Sequence, residues 1–316
     1  MTFDLHQLHA FSVVVSTGSL GRAADTLNVT QPALSRTIRR LESQVGAPLF
    51  ERHSKGMRLT DIGTALLPHA VLLRQGAENA IEEVNALRGL ARGTIRVGAV
   101  GSIASVVLPM AIDRVLEKWP QLQVAIVEGV WDRLANALTT FEIDLALGVA
   151  LPDTAEIVAI ADCRWEDCSH VVAATNHPLR RKRRLQLADV MDERWALPPR
   201  GTGPYEQMAG MFAANGLGIP NIVVETRSIT ALKSLVSNSG FLSWMSEPMY
   251  DTERKARVIA ALPIPGASAL RALTAFRRRA GILPGPAVKL LDELKSVGST
   301  QSLSAQSSFP RRPVRA

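Results

Sequence analysis

Cysteine, aromatic residues and long apolar runs are scarce in this sequence of 316 residues. The two cysteines, Cys163 and Cys168, cannot form the disulfide framework of a small secreted domain, which indicates a reducing compartment; they are either unremarkable thiols or a redox switch. No run of about 18 uncharged apolar residues is present, which excludes a transmembrane helix. The first residues, MTFDLHQLHAF, lack the cationic flank and apolar stretch of a signal peptide. We therefore expect a cytoplasmic protein without a membrane partner.

Signatures of catalysis and of cofactor binding are missing as well. No serine lies in a Gly-x-Ser-x-Gly elbow, and residues 201–203 lack the Lys-Ser/Thr of a phosphate-binding loop. Residues 98–101 follow a predicted strand without the full dinucleotide fingerprint. His6 and His9 are spaced for one helix face, but no third metal ligand is evident. The sequence thus predicts no enzyme, no cofactor and no metal site.

The chain nevertheless has the composition of a folded protein with a basic excess. Apolar residues make up 47% of it, which excludes global disorder, and its length predicts two or three domains at roughly 100–200 residues each. The net charge of +7 favours a polyanionic partner only weakly, because a total does not say where the charge lies. Residues 22–60 hold seven cations and three acids at helical spacing. Residues 180–184 form a basic run that we interpret as a solvated loop, and further arginines lie at 277–279 and in the tail.

The first 45 residues show the pattern of three short helices. Apolar spacing predicts a helix from Leu5 to Ser16 and a second from Leu20 to Leu27, and Thr30 is a good N-cap for a third. On a wheel of 100° per residue, the third helix has one apolar side and one side rich in hydroxyl and guanidinium groups. This is the form of a recognition helix in a helix–turn–helix, although an ordinary amphipathic helix with a charged outer face has the same pattern.

A basic hairpin follows this helix. Residues 51–60 are predicted to form two short strands with Lys55-Gly56 at the tip, a wing that would reach phosphates or the minor groove. The whole segment AADTLNVTQPALSRTIRRLESQVGAPLFERHSKGMRLTDIG closely resembles the winged helix–turn–helix of LysR-type transcriptional regulators. The length and later segments also resemble that family, so the likeness covers nearly the whole chain.

The resemblance implies DNA-contacting residues in three places: the exposed side of the recognition helix, the wing, and positions near the DNA backbone. The helical wheel independently favours Ser35, Arg36 and Arg39. The expected DNA-binding residues are Arg22, Thr30, Gln31, Pro32, Ser35, Arg36, Arg39, Arg40, Arg52, Lys55 and Arg58. We assign residues 1–60 to this winged domain.

Residues 61–91 are predicted to form one long helix. Its apolar residues follow alternating steps of four and three over more than three heptads, the signature of a coiled-coil seam, and Pro68 should kink the helix or start a new segment. We favour a dimer seam, with packing on the chain's own second domain as the alternative; the resembled family is typically a tetramer. The seam residues are Leu66, Ala70, Leu73, Ala77, Ala80, Val84, Leu87 and Ala91.

Residues 92–295 alternate strand-like and helix-like segments, so the fold class is α/β. This part resembles the effector domain of the same regulators, whose fold is that of periplasmic solute-binding proteins. That implies lobe one at 92–164 and 267–295, lobe two at 165–266, crossings near 162–167 and 263–268, and a cleft between the lobes. The serine-rich tail, 296–316, is predicted to be disordered.

The expected cleft has a candidate effector site. Ser102, Thr202 and Ser228 each precede or open a predicted helix, where free N–H groups favour anions, although plain N-capping explains the same pattern. The resemblance adds Gly148 and Val149 as cleft-lining residues. Arg200 would either pair with an anionic effector or lie in solvent.

These patterns lead to one preferred function. We expect a ligand-responsive transcriptional regulator that binds double-stranded DNA as a dimer or tetramer, with RNA polymerase as a further partner and an effector whose identity the sequence does not give. The alternatives are a cytoplasmic solute-binding or enzymatic α/β module with an incidental basic N-terminus, and an architectural DNA binder that ignores ligands.

Overall fold

The computed structural model describes residues 3–53, 56–87 and 93–298. The chain divides into two compact units, residues 1–91 and residues 92–316, and each is described by itself. The expected disordered tail lies outside the described residues apart from 296–298, which are the end of the last helix.

The described residues of the N-terminal unit form four helices and one hairpin. The third helix begins where the Thr30 hydroxyl accepts a hydrogen bond from the Ala33 N–H (3.4 Å), and it ends at Gly46 in the left-handed conformation. Its buried residues Leu34, Ile38 and Leu41 pack in one core with the first helix. The elements are α1 (Leu5–Thr17), α2 (Leu20–Thr26), α3 (Gln31–Val45), β1 (Phe50–His53), β2 (Gly56–Leu59) and α4 (Asp61–Leu87).

The wing is an antiparallel hairpin of β1 and β2, as predicted, with a corrected tip. His53 pairs with Gly56, so Gly56, which was expected at the tip, is the first residue of the return strand. Lys55, the other residue expected at the tip, lies outside the described residues. Gly56 has a φ of +125°, and a Cβ there would lie 2.5 Å from the Gly18 carbonyl oxygen. That carbonyl accepts the Met57 N–H (3.0 Å), so glycine at 56 allows the wing to pack on the α1–α2 turn.

The helix α4 continues through Pro68, so no new segment starts there. Leu66 and Ala70 of the predicted seam pack in the core of the N-terminal unit. This packing was not expected, because the sequence analysis considered only a dimer seam or packing on the second domain of the same chain. Leu73 and Val84 further along are exposed, and so is Ile81, which the seam did not include. The side chain of Leu87 and the whole of Ala91 lie outside the described residues.

The C-terminal unit is an α/β domain. Its described strands are β3 (Gly93–Ala99), β4 (Leu122–Glu128), β5 (Leu145–Val149), β6 (Ile157–Ala174), β7 (Trp195–Leu197), β8 (Ile222–Glu225), β9 (Ser243–Ser246), β10 (Ile259–Ala261) and β11 (Ser268–Arg278). Seven of these strands form one sheet in the order β10-β6-β11-β5-β3-β4, with β9 beside β6. The other two, β7 and β8, form a separate parallel pair. The helices are α5 (Gly101–Ser105), α6 (Val107–Lys118), α7 (Trp131–Thr139), α8 (Gly203–Ala214), α9 (Ile229–Ser239), α10 (Asp251–Lys255) and α11 (Gly285–Gly298).

Two long antiparallel strands, β6 and β11, join two lobes with separate cores. Along β6 the packing changes from the first core to the second between Trp165 and Val171, which overlaps the predicted crossing. Along β11 it changes between Ala269 and Leu273, so the crossing predicted at 263–268 lies too early. The change of core occurs inside a continuous strand, where no turn residue marks it in the sequence.

Other differences from the sequence prediction are local. The predicted helix that begins near Ser102 is split into two at Val106, whose φ of −133° and ψ of −64° interrupt the helical backbone. Strands β9 and β10 and helix α10 were not predicted, because segments of three to five residues are too short to show a periodicity.

Two arginines in the basic runs are structural rather than solvated. Arg180 donates from Nε to the Ala174 carbonyl (3.0 Å) and from its guanidinium to carbonyls of β10, which corrects the expectation of a solvated loop at that residue. Arg278 donates to the carbonyl oxygens of Leu138 and Ile143 (2.9 and 2.6 Å) and pairs with the buried Asp144. Burial raises the pKa of the Asp144 carboxyl despite this pairing.

Candidate functional sites

The first candidate site is the outer surface of α3. Gln31, Pro32, Arg36, Arg39 and Arg40 are exposed there, and Ser35 is half-buried. This distribution agrees with the helical-wheel prediction, because the core-facing side is Leu34, Ile38 and Leu41.

The charge of this surface is not neutralised within the described residues. Arg36, Arg39 and Arg40 have no ion-pair partner in the described part of the chain, and neither does Arg22 at the exposed side of α2. Thr30 is exposed, but its hydroxyl is already used as the N-cap of α3. The Gln31 side chain lies near α2, since its Oε1 would be 4.0 Å from a Cβ added at Gly21 of that helix.

The wing carries the other three cations of the predicted DNA-binding set. Arg58 is exposed on β2. The backbone of Arg52 lies in β1, but its side chain is outside the described part, and Lys55 lies outside the described residues altogether. Cationic side chains with free guanidinium groups are suited to phosphate and base-edge contacts.

The second candidate site is a cavity of about 780 Å³ between the two lobes of the C-terminal unit. Four of the six predicted effector residues line it: Ser102 and Val149 from lobe one, and Thr202 and Ser228 from lobe two. The other two are not among its lining residues. A Cβ at Gly148 would come within 3.0 Å of the Trp131 ring, so this glycine lies beneath a ring that lines the cavity.

The sixth residue, Arg200, is held by an aromatic side chain. Its Nε donates to the Tyr205 hydroxyl (3.1 Å), and its guanidinium carbon lies 5.7 Å from the centre of the same ring. The hydrogen bond to Tyr205 raises the pKa of the Arg200 guanidinium. The structure therefore does not bring this cation into the cavity.

The three hydroxyl residues of the predicted site have different local roles. Ser228 is an N-cap, because its hydroxyl accepts the Ala231 N–H (3.2 Å) at the start of α9. The Thr202 hydroxyl donates to the Pro199 carbonyl (2.7 Å), so α8 begins without a side-chain cap. Ser102 is fully buried within α5, and its Oγ lies 3.5 Å from a guanidinium nitrogen of Arg271.

Sequence reasoning missed the charged pairs of the cavity. Arg271 of β11 lines it and pairs through two hydrogen bonds with the fully buried Asp167 of β6, its cross-strand partner (Nε to Oδ1, 2.7 Å). Arg227 of lobe two pairs across the cavity with Asp132 of lobe one (3.2 Å). These residues are distant in sequence, and nothing in their local patterns marks them as partners.

Neither a metal centre nor a reactive thiol is evident in residues 3–53, 56–87 and 93–298. That part of the chain contains no group of three His, Cys, Asp or Glu side chains arranged to hold a metal ion. Cys163 is buried, and desolvation raises the pKa of its thiol to about 11. In the same ranges, the helices all fall short of the length or apolarity that crossing a membrane needs.

Comparison with known proteins agrees with this two-part organisation. The family described as bacterial regulatory helix-turn-helix protein, lysR family, matches residues 5–64. The family described as LysR substrate binding domain matches residues 88–299. These matches place a DNA-binding domain before a small-molecule-binding domain, in the order expected from the sequence.

Curated relatives cover most of the chain. YdcI of Escherichia coli strain K12, an uncharacterised helix-turn-helix-type transcriptional regulator, is 31% identical over 83% of this chain and 85% of its own length. The SDS degradation transcriptional activation protein of a Pseudomonas strain is 32% identical over 91% of this chain and 94% of its own length. Both are named as regulators of transcription.

Solved structures share the fold. ArgP from Mycobacterium tuberculosis matches with a TM-score of 0.72 at 18% identity, over 95% of this chain and 99% of that one. CbnR complexed with its target DNA matches with a TM-score of 0.63 at 22% identity, over 94% of this chain and all of that one. With both domain matches and relatives above 30% identity, the chain belongs to the LysR family of bacterial transcriptional regulators.

Proposed function

We propose that this regulator recognises promoter DNA with the exposed surface of α3. The observation that carries the proposal is the division of that helix into a buried apolar side and an exposed side with Gln31, Arg36 and Arg39. The guanidinium groups of the two arginines have no ion-pair partner among the described residues. An exposed polar helix of this kind fits the major groove, where arginine can bond guanine edges. Ser35, Pro32 and Arg40 complete this surface.

The wing and the start of α2 are proposed to hold the DNA backbone. Arg52, Lys55 and Arg58 of the wing, with Arg22 and Thr30 near α2 and α3, would contact phosphates. Such contacts fix the orientation of a protein on the duplex and strengthen binding to every sequence alike.

A dimer through residues 61–91 is proposed to place two recognition helices on DNA. Support comes from the apolar residues Leu73, Ile81 and Val84, which are exposed on α4. They follow the part of this helix that packs in the core of the N-terminal unit. Two helices related by a two-fold axis would read half-sites roughly 34 Å apart. Two such dimers would form a tetramer.

The cavity of the C-terminal unit is proposed to bind the small-molecule effector. Ser102, Val149, Thr202 and Ser228 would contact it from both lobes, so its occupancy would alter the lobe arrangement, DNA bending and polymerase recruitment. We assign no enzymatic activity to the cavity, which among its described residues has no paired nucleophile and base, and we place the protein in the cytoplasm.

Selection of genomic fragments by the full-length protein tests this function, followed by an electrophoretic shift on the selected site and on random DNA. The wild-type protein is expected to prefer its selected site, and promoters beside divergent genes are the first candidates. Arg36→Ala should weaken specific binding by about 1–3 kcal/mol while changing random-sequence binding much less, because one base contact is lost.

Arg164→Ala is the matched control, since Arg164 is an exposed arginine of the other unit. It should leave both affinities unchanged. Equal losses on specific and random DNA for Arg36→Ala would refute its role in base recognition, and an absence of any site preference in the wild-type protein would refute the proposed function.

A further inference from the structure

The two walls of the effector cavity differ in charge. Lobe one contributes two carboxylates, Glu128 at the end of β4 and Asp132 in the first turn of α7. Glu128 is exposed and has no ion-pair partner among the described residues. Its Oε1 would lie only 3.2 Å from a Cβ added at Gly101, the first residue of α5. The chain's own carboxylate therefore lies beside the α5 N-terminus, where an anionic ligand would otherwise be favoured.

Lobe two presents the opposite character. The described cavity-lining residues of this lobe include Arg227 and no acid. The first residues of α8 and α9 also line the cavity, so the positive ends of two helices of 12 and 11 residues are directed at it. The helix α8 has no side-chain cap, because the Thr202 hydroxyl is bonded to Pro199 instead.

The deep cation of the cavity is not free to bind an anion. Both hydrogen bonds of Arg271 to Asp167 use the fully buried carboxylate, and the arginine itself is only 11% exposed. An effector carrying negative charge alone would thus meet two cations that are already paired, Arg271 with Asp167 and Arg227 with Asp132. It would also lie close to the carboxylate of Glu128, which has no ion-pair partner among the described residues. The charged residues that line the cavity therefore favour a purely anionic ligand poorly.

The remaining ion pair spans the cavity. Arg227 and Asp132 belong to opposite lobes, and both side chains are more than half exposed. Ion pairs between such exposed residues contribute little to the stability of a protein. A ligand can therefore replace the Arg227–Asp132 pair with little loss of stability. A ligand with both signs of charge would leave neither residue unpaired, whereas a ligand with one charge would strand one of them.

Resting on the proposed effector-binding function, the geometry points to a zwitterionic effector: a small molecule with an ammonium and a carboxylate, such as an α-amino acid. The ammonium group pairs with Glu128 and Asp132 of lobe one. The carboxylate lies at Arg227 and the starts of α8 and α9. Binding thereby exchanges the Arg227–Asp132 pair for two ligand pairs that still join the lobes.

The rest of the lining suits the body of such a molecule. Trp131, Leu151 and Leu270 offer apolar surface for a side chain. Ser246 lines the cavity and is buried, and its hydroxyl oxygen has no hydrogen-bond partner among the described residues. An unsatisfied buried hydroxyl gains from a ligand that supplies a partner. The volume of about 780 Å³ accommodates an amino acid with a large side chain.

Calorimetric titration of the full-length protein tests the proposal, with the twenty L-α-amino acids as probes. Each is paired with the carboxylic acid that lacks its amine and the amine that lacks its carboxylate. At least one amino acid should bind, and both partial analogues should bind at least tenfold more weakly. A carboxylic acid that binds as tightly as its amino acid would overturn the proposal, and so would a panel in which no amino acid binds.

Two variants check the assignment of the ammonium group. Glu128→Gln should weaken binding of the amino acid at least tenfold and leave binding of its carboxylic acid unchanged or stronger. Glu156→Gln is the matched control, since Glu156 is exposed in lobe one outside the cavity lining, and it should bind like the wild type. Unchanged affinity in Glu128→Gln contradicts the assignment.

The outcomes separate this inference from the proposed function. If a molecule of another charge type binds and alters operator binding, the ligand-responsive regulator stands and the zwitterion is wrong. If an amino acid binds in the predicted pattern without any effect on operator binding, the zwitterion site stands and the ligand-dependent regulation is wrong.

Discussion

The buried pair of Asp167 and Arg271 allows a quantitative test of how the two crossover strands are held together. Asp167 lies on β6 and is fully buried, and Arg271 lies directly opposite on β11 with 11% of its side chain exposed. The guanidinium donates from Nε (2.7 Å) and from Nη2 to the two carboxylate oxygens. Each residue is therefore the main compensation for the charge of the other.

Removing one partner leaves the other charge uncompensated. We expect Asp167→Leu or Arg271→Met to lower the free energy of unfolding by about 3–5 kcal/mol each. The double variant replaces both charges by apolar groups and should lie within about 2 kcal/mol of the wild type, because no charge remains buried. The coupling energy of the double-mutant cycle should accordingly exceed about 3 kcal/mol.

The assay is urea unfolding of the full-length protein followed by tryptophan fluorescence. All five tryptophans (Trp119, Trp131, Trp165, Trp195 and Trp244) lie in the C-terminal unit, so the signal reports on that unit alone. The exposed pair Arg133–Glu142 is the control, and its cycle should give a coupling below about 1 kcal/mol. Additive losses at Asp167 and Arg271 would refute the reasoning.

Three further predictions concern the wing, the long helix and the thiols. Gly56→Ala should weaken binding to all DNA sequences in an electrophoretic shift, because the new Cβ would meet the Gly18 carbonyl oxygen. Gly46→Ala is the control: its backbone is also left-handed, but the new Cβ meets no atom within 4 Å, so it should reduce DNA binding less. Val84→Glu on the exposed part of α4 should convert dimers to monomers in light scattering, and an unchanged mass would contradict the proposed seam. At pH 8 a thiol with a pKa of about 11 is roughly one part in a thousand thiolate, so peptide mass spectrometry should show iodoacetamide modifying half-buried Cys168 before buried Cys163; equal rates would contradict this.

The N-terminal unit was predictable because its information is local. The Thr30 cap, the apolar positions at 34, 38 and 41 and the turn at Gly46 all lie within one stretch of chain, and each acts on its immediate neighbours. The same is true of the hairpin, although Gly56, which was expected at its tip, belongs to the return strand. Where α4 packs was not predictable, since a heptad stripe does not say which apolar surface will cover it.

The cavity between the lobes, where we propose that the effector binds, was predictable in outline and not in its chemistry. Hydroxyl side chains at predicted helix starts were the signal that pointed to Ser102, Thr202 and Ser228, which line the cavity. This signal is local, because the free N–H groups at a helix start follow from the geometry of the helix itself. The resemblance also suggested Gly148, but the fold covers it with Trp131. Arg271, Asp167 and Arg227 carried no local signal that linked them to one another.

By itself the sequence determined the helices of the N-terminal unit, the Thr30 cap, the order of the two units and the exposed cationic surface of α3, because periodicity and capping act over a few residues. Only the tertiary structure decided which charges are free. Arg180 and Arg278 belong to similar basic runs, yet backbone carbonyls and Asp144 hold them in place, whereas Arg36 and Arg39 have no partner among the described residues. These contacts join residues up to 140 positions apart, and no pattern along the chain encodes that proximity.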